Sequence, residues 1–248
     1  GTKRPDEYVL YTAHWDHLGR CTPADDGDDI CNGAVDNATG TAALVALAEA
    51  QAKAGAADRS MVFLAVTAEE QGLLGSTYYA QNPVFPLDQT VGGVNMDAFL
   101  IAGPARDVTV VGPGKSQLDE FLAAALKADG RVATDNPTPE AGFYYRSDHF
   151  PFAKQGVPML YLDGGEDLVD GGREAGEAVA KEYRDNRYHG PKDEFDENWD
   201  WSGVMADLQL YYRLGRMMAM STSWPNWVEG DEFRGIRDES CAATNAGC

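Results

Sequence analysis

The chain has 248 residues, with 40 Asp plus Glu against 20 Lys plus Arg and a formal net charge of −20. That excess of acid argues against a general nucleic-acid or anionic-membrane binder, which needs clustered Lys and Arg. A hydrophobic content of 44% marks a globular chain with enough apolar sequence for one sizeable core, not an acidic disordered one.

In chain order, residues 8–13 form a short β-rich run. Residues 41–54 are Ala- and Leu-rich without Gly or Pro, hence helical, with Gly55 as the stop. Residues 61–67 (MVFLAVT) are a continuous apolar run of strand length, as expected for a strand covered on both faces. A helix starts within 72–80, strands follow at 90–96 and 108–111, and 117–128 is an amphipathic helix. A strand at 157–162 precedes a polar, loop-like stretch over 164–200. A long helix covers 204–220, and the tail 221–248 reads as irregular. Buried strands alternating with helices imply an open sheet with helices on both faces, in one domain. No apolar run approaches the ~18 residues of a membrane span, so no membrane insertion is expected.

The four cysteines fall as two short-range pairs, Cys21 with Cys31 and Cys241 with Cys248. Each pair brackets loop sequence rich in Gly, Asp or Asn, and neither has C-x-x-C spacing. Two disulfide-closed loops and an oxidising compartment, secreted or periplasmic, are expected. The chain opens Gly-Thr-Lys-Arg-Pro with no apolar leader behind it, as a processed, exported protein would.

In open α/β sheets, ligands bind beyond the carboxyl ends of the strands. There stand His14 and Asp16 after the first strand, Glu69 and Glu70 after the 61–67 strand, and Asp97 after the 90–96 strand. Asp36 lies just before the Ala-rich helix, and Tyr188 and His189 lie in the polar stretch. His, Asp and Glu together suit zinc and related divalent ions. Taken singly, each has an ordinary explanation: Asp36 as a helix cap, Glu69 and Glu70 as a solvated turn, His189 as a loop residue.

Their order is more specific. H-x-D, V-D-N-A-T-G, A-E-E-x-G-L-L-G-S, N-x-D, R-S-D-H-x-P-F and Y-H-x-x-x-D, spread over residues 8–220, resemble the co-catalytic di-zinc aminopeptidases of clan MH, family 28. Relatives there include glutamate carboxypeptidases, glutaminyl cyclases and a non-enzymatic receptor. The resemblance implies a three-layer α/β/α fold with a central mixed, largely parallel sheet, and two zinc ions per chain. Asp36 would bridge the two ions, with His14 and Asp97 completing one site and Glu70 and His189 the other. Glu69 would be the general base acting on water, Asp16 the partner of His14, and Tyr188 the oxyanion donor. The Asp36–Asn37 peptide would be cis. Arg146, Ser147 and Asp148 would line the substrate cleft, with the Arg146 carbonyl helping to bind a free amino group. His149 would then pack or support, and His17, with no family role, reads as a structural or rim residue. Trp15, Phe143, Tyr144 and Tyr145 are candidates for an apolar pocket.

The expected activity is therefore aminopeptidase action on peptides with a free N-terminus. The rivals are a carboxypeptidase or dipeptidase, which needs a basic pocket where the motifs offer few basic residues, and a glutaminyl cyclase, a branch that typically works with one zinc. A non-catalytic interaction protein would be expected to have lost ligands. The early first strand, where family members usually have preceding sequence, suggests a piece trimmed from a longer precursor.

Overall fold

A computed structural model describes residues 1–244. The chain runs β1 (Arg4–His14), β2 (Gly19–Arg20), β3 (Ile30–Cys31), α1 (Gly40–Lys53), β4 (Arg59–Val66), α2 (Leu74–Gln81), β5 (Thr90–Asn95) and β6 (Asp107–Val110). It continues through α3 (Leu118–Asp129), β7 (Val132–Asp135), α4 (His149–Ala153), β8 (Met159–Gly164), α5 (Gly172–Asn186), α6 (Ser202–Met220) and α7 (Arg234–Thr244).

Six strands form one sheet in the order β4-β1-β5-β8-β6-β7. All neighbours are parallel except β6 and β8, so the sheet is mixed and largely parallel, as expected. Along β1, alternation sends Val9, Tyr11 and Ala13 into one core with α1, α3 and α6. Leu10 faces the opposite way, into a smaller core with Ala80 of α2 and Phe152 of α4. Both faces of the central strands are thus covered, which is why they read as unbroken apolar runs. Helix α6 crosses β1 closely at Gly215, where a Cβ would overlap the Tyr11 ring. The Tyr11 hydroxyl donates to the carbonyl of Tyr211, 2.8 Å away.

Two expectations are corrected. The polar stretch 164–200 contains the 15-residue helix α5, in which Gly176 and Tyr183 are the buried positions. The small and single aromatic contacts leave an apolar stripe too thin to stand out among the charges. The tail holds α7, anchored by a buried charge: the Arg237 guanidinium donates to the carbonyls of Thr90 and Val91, both at 2.9 Å. Cys21 and Cys31 are joined by a disulfide, closing the loop between β2 and β3. The expected partner of Cys241, Cys248, lies outside the described residues. No helix among the described residues is long and apolar enough to cross a membrane.

Candidate metal centre and active site

Strand order brings the scattered motifs together. β1 lies between β4 and β5, so the residues following these three parallel strands emerge side by side. His14 ends β1 opposite Val66, the last residue of β4. Glu69 and Glu70 follow β4, and Asp97 follows β5. The backbone is forced here: Ala68, Ala98 and His189 adopt left-handed conformations, with φ of 55°, 56° and 56°. Non-glycine residues held this way cluster at functional sites because the surrounding structure must over-determine them.

Asp36 sits in a kinked turn, Ala34–Thr39, that leads into α1, and its peptide bond to Asn37 is cis. One carboxylate oxygen, Oδ1, is 3.3 Å from His14 Nε2, which is itself 3.1 Å from Asp97 Oδ1. The other, Oδ2, is 3.2 Å from His189 Nε2, which is 3.3 Å from Glu70 Oε2. All five candidate ligands therefore converge, with Asp36 turned toward two separate groups. His14, Asp36 and Asp97 place ligand atoms within 4.8 Å of one another, a spacing that could hold a divalent cation. Burial works against charge on His14, but the carboxylates of Asp36 and Asp97 outweigh it and push the imidazole up to about 12. Burial alone would raise Asp36; His14 and His189 instead hold it well below the usual carboxylate range. A buried site with this much concentrated negative charge calls for cations.

The supporting residues differ from expectation at Asp16 and Asp148, and Ser147 makes a contact that was not expected. Asp16 meets His14 through its backbone: His14 Nδ1 lies 3.1 Å from the Asp16 carbonyl, against 3.8 Å from the carboxylate. The Asp16 carboxylate accepts instead from the backbone N–H groups of Glu69 (3.2 Å) and Glu70 (3.4 Å), fixing the two acids in place. Ser147, expected at the substrate, donates its hydroxyl to Asp97 Oδ2 at 2.7 Å and accepts from Asn95 Nδ2 at 2.7 Å. Asp148 is enclosed, and burial pushes its carboxyl up to about 7. Of that trio, Arg146 and Ser147 line the cleft.

Two residues outside the expected ligand set, Asp193 and His17, also meet the site. Asp193, the last residue of the Y-H-x-x-x-D motif, is fully buried beneath the Asp36 turn. Its carboxylate accepts from the N–H groups of Val35 (2.9 Å) and Asp36 (3.1 Å) and from the Tyr183 hydroxyl (3.2 Å). His17 is not at a rim: its side chain is 6% exposed, and Nδ1 lies 2.7 Å from Glu70 Oε1. The signal for Asp193 was its place in the Y-H-x-x-x-D motif; His17 lies just outside H-x-D and had none. His149 is buried between the rings of Tyr144 and Tyr161, and burial lowers it to about 3, so it packs as a neutral ring.

A cleft of about 950 Å³ opens over the cluster. Glu69 lines it, and burial, followed by the Asp97 carboxylate, pushes the Glu69 carboxyl up to about 9. Tyr188 also lines it, with its ring stacked on His189 at 3.8 Å between centroids. Burial raises the Tyr188 phenol above its usual range, so it stays a proton donor. Phe143 and Tyr145 contribute apolar wall, whereas Tyr144 belongs to a separate buried cluster and Trp15 stands 64% exposed outside the lining. Arg146, Lys154 and Arg184 also line the cleft, so the fold adds Lys154 and Arg184 to the one basic residue, Arg146, that the motifs offered.

The profile of peptidase family M28 matches residues 1–213. Leupeptin-inactivating enzyme 1 of Streptomyces exfoliatus is 31% identical over 146 residues, covering 57% of this chain and 32% of that protein. Among solved structures, LapB of Legionella pneumophila superposes with a TM-score of 0.64 at 20% identity, over 88% of this chain and 53% of that one. An aminopeptidase from Aneurinibacillus sp. strain AM-1 gives 0.59 at 20% identity, over 88% and 46%. At such identities the structural likeness is one of fold, and the chain spans about half the length of these neighbours or less.

Proposed function

The chain belongs to peptidase family M28, and on that premise we propose that this metallopeptidase is a co-catalytic di-zinc aminopeptidase acting on peptides with a free N-terminus. The observation that carries the reading is Asp36, whose two oxygens face two separate sets of ligands. His14, Asp36 and Asp97 would hold one zinc, and Asp36, Glu70 and His189 the other. Bound there, the pair would supply Lewis acidity, lowering the pKa of an attacking water and polarising the scissile carbonyl.

The protein groups divide the remaining work. Glu69 takes the proton from the attacking water and passes it to the leaving amine. Tyr188 donates its hydroxyl to the oxygen on which charge develops, a role worth roughly 3 kcal/mol when one such donor is removed from other enzymes. Asp193 and Asp16 hold the Asp36 turn and the Glu69–Glu70 pair, so the geometry is set before substrate arrives. The Arg146 carbonyl, with the acidic groups that line the same cleft, would hold a substrate ammonium group. The Cys21–Cys31 disulfide supports a secreted or periplasmic location.

Arg146 favours a second reading. The residue lines the cleft and its charge reaches Tyr188 and His189, where it would suit a substrate carboxylate, as a carboxypeptidase or dipeptidase requires. A panel separates the two: aminoacyl-nitroanilides, their N-acetylated forms, N-blocked peptides with a free C-terminus, and N-terminal glutaminyl peptides, each with and without chelator. Chelator-sensitive release from the free-amine substrates alone is expected. Cleavage of the N-blocked peptides, or cyclisation of the glutaminyl ones, would overturn the assignment.

A further inference from the structure

We propose that His17 is a direct ligand to the cation shared by Asp36, Glu70 and His189, a donor beyond the five already named. The proposal rests on the metal-centre reading above, and its argument is the placement of the His17 ring.

The ring is enclosed and built in. A Cβ on Gly33 would collide with it, and Gly33 has φ 67°, so this position requires glycine both for its backbone and for the ring's seat. Nδ1 comes within 2.7 Å of Glu70 Oε1, yet neither atom makes a hydrogen bond, and Nε2 makes none either. A contact this short without hydrogen-bond alignment means that the two atoms do not point at each other. Buried imidazole nitrogens and carboxylate oxygens left unbonded are costly unless something else satisfies them. The ring meets the His189 ring edge-on, 5.7 Å between centroids, so the two imidazoles pack around the same pair of carboxylates. His17, Asp36 and Glu70 place ligand atoms within 4.8 Å of one another, as His14, Asp36 and Asp97 do on the other side. Two imidazoles and two carboxylates are a donor set suited to zinc or cobalt. His149 differs in its surroundings: more deeply buried and likewise without hydrogen-bond partners for its ring nitrogens, it lies between two tyrosine rings.

The test uses the full chain loaded with cobalt(II). The free ring N–H of each cobalt-bound imidazole gives a strongly shifted proton NMR signal that vanishes in D2O. Three such signals are expected, and His17→Gln should remove one. In the zinc-loaded protein, chelator competition should show one of the two zinc dissociation constants rising about 10- to 100-fold in His17→Gln. Two signals in the unsubstituted protein would overturn the proposal without requiring any variant to fold. So would loss of zinc affinity in His17→Gln with the signals unchanged, since His17 would then only support Glu70. His14→Ala and His189→Ala serve as controls. If each removes a signal and His17→Gln does not, this inference alone fails; if neither does, the metal-centre reading fails with it.

Discussion

Replacing Asp193 with Ala tests how the Asp36 turn is held. The carboxylate accepts two backbone N–H groups, from Val35 at 2.9 Å and Asp36 at 3.1 Å, and the Tyr183 hydroxyl at 3.2 Å. Hydrogen bonds to a charged group are worth about 1.5–3 kcal/mol each, and removing the acceptor leaves buried donors unpaired. After partial relaxation the loss should be about 3–5 kcal/mol. For a chain of this size each kcal/mol lowers Tm by about 2–4 °C, so a fall on the order of 10 °C is expected by calorimetry. The same turn carries Asp36, proposed as the bridging carboxylate, so zinc retention during dialysis against chelator should fall as well. Asp193→Asn keeps one acceptor oxygen and should fall between. If Asp193→Ala melts within about 2 °C of the parent and keeps its zinc, Asp193 does not hold the turn.

Ser147→Ala removes the hydroxyl bonded to Asp97 Oδ2 and should weaken one zinc site about 10- to 100-fold by chelator titration; unchanged affinity would return Ser147 to a substrate role. Glu69 has a carboxyl raised from 4.5 to about 9, so in chelated protein the folded state keeps a proton that the unfolded chain releases, and stability falls as pH rises from about 4.5 to about 9. Chelated Glu69→Gln should therefore resist urea better than chelated parent near pH 8 and lose that advantage near pH 4; an equal gap at both would contradict the assignment. His189→Ala should lose one zinc by metal analysis and His149→Ala should lose none; the reverse would exchange their roles.

The strands at the middle of the sheet and helices α1, α3 and α6 were legible from their apolar runs and spacing; β4 was too, although it is the edge strand and only half-buried, so the cover expected on both its faces is not found. MVFLAV gives β4, and the Ala-rich stretch gives α1 within a residue or so. Helix α5 was not, because its inward face is made of Gly176 and Tyr183 with charges on every side. Helix α7 was hidden for the opposite reason: Arg237, one of its fixed points, is a buried cation that reads as surface. The five candidate ligands could be picked out by their positions after strands and by family resemblance. What those positions could not reveal was strand order. Asp16 fixes Glu69 and Glu70 because β1 and β4 are neighbours, and Asp97 lies beside His14 because β5 flanks β1 on its other side. The chain from Thr12 through Asn95 and Ser147 to Asp97 likewise joins residues 50 to 83 positions apart. Such contacts are set by packing, so Ser147 and His17 took on roles that their local sequence did not indicate.

The most direct test of a two-zinc centre with Glu69 as its base is to count zinc and turnover together in Glu69→Gln. The side chain keeps its shape and loses its basicity, while none of the five proposed ligands is altered. The account predicts about two zinc ions per chain in both proteins and a turnover lowered by about 10²- to 10⁴-fold in the variant. Turnover near that of the parent with both zincs in place would contradict it.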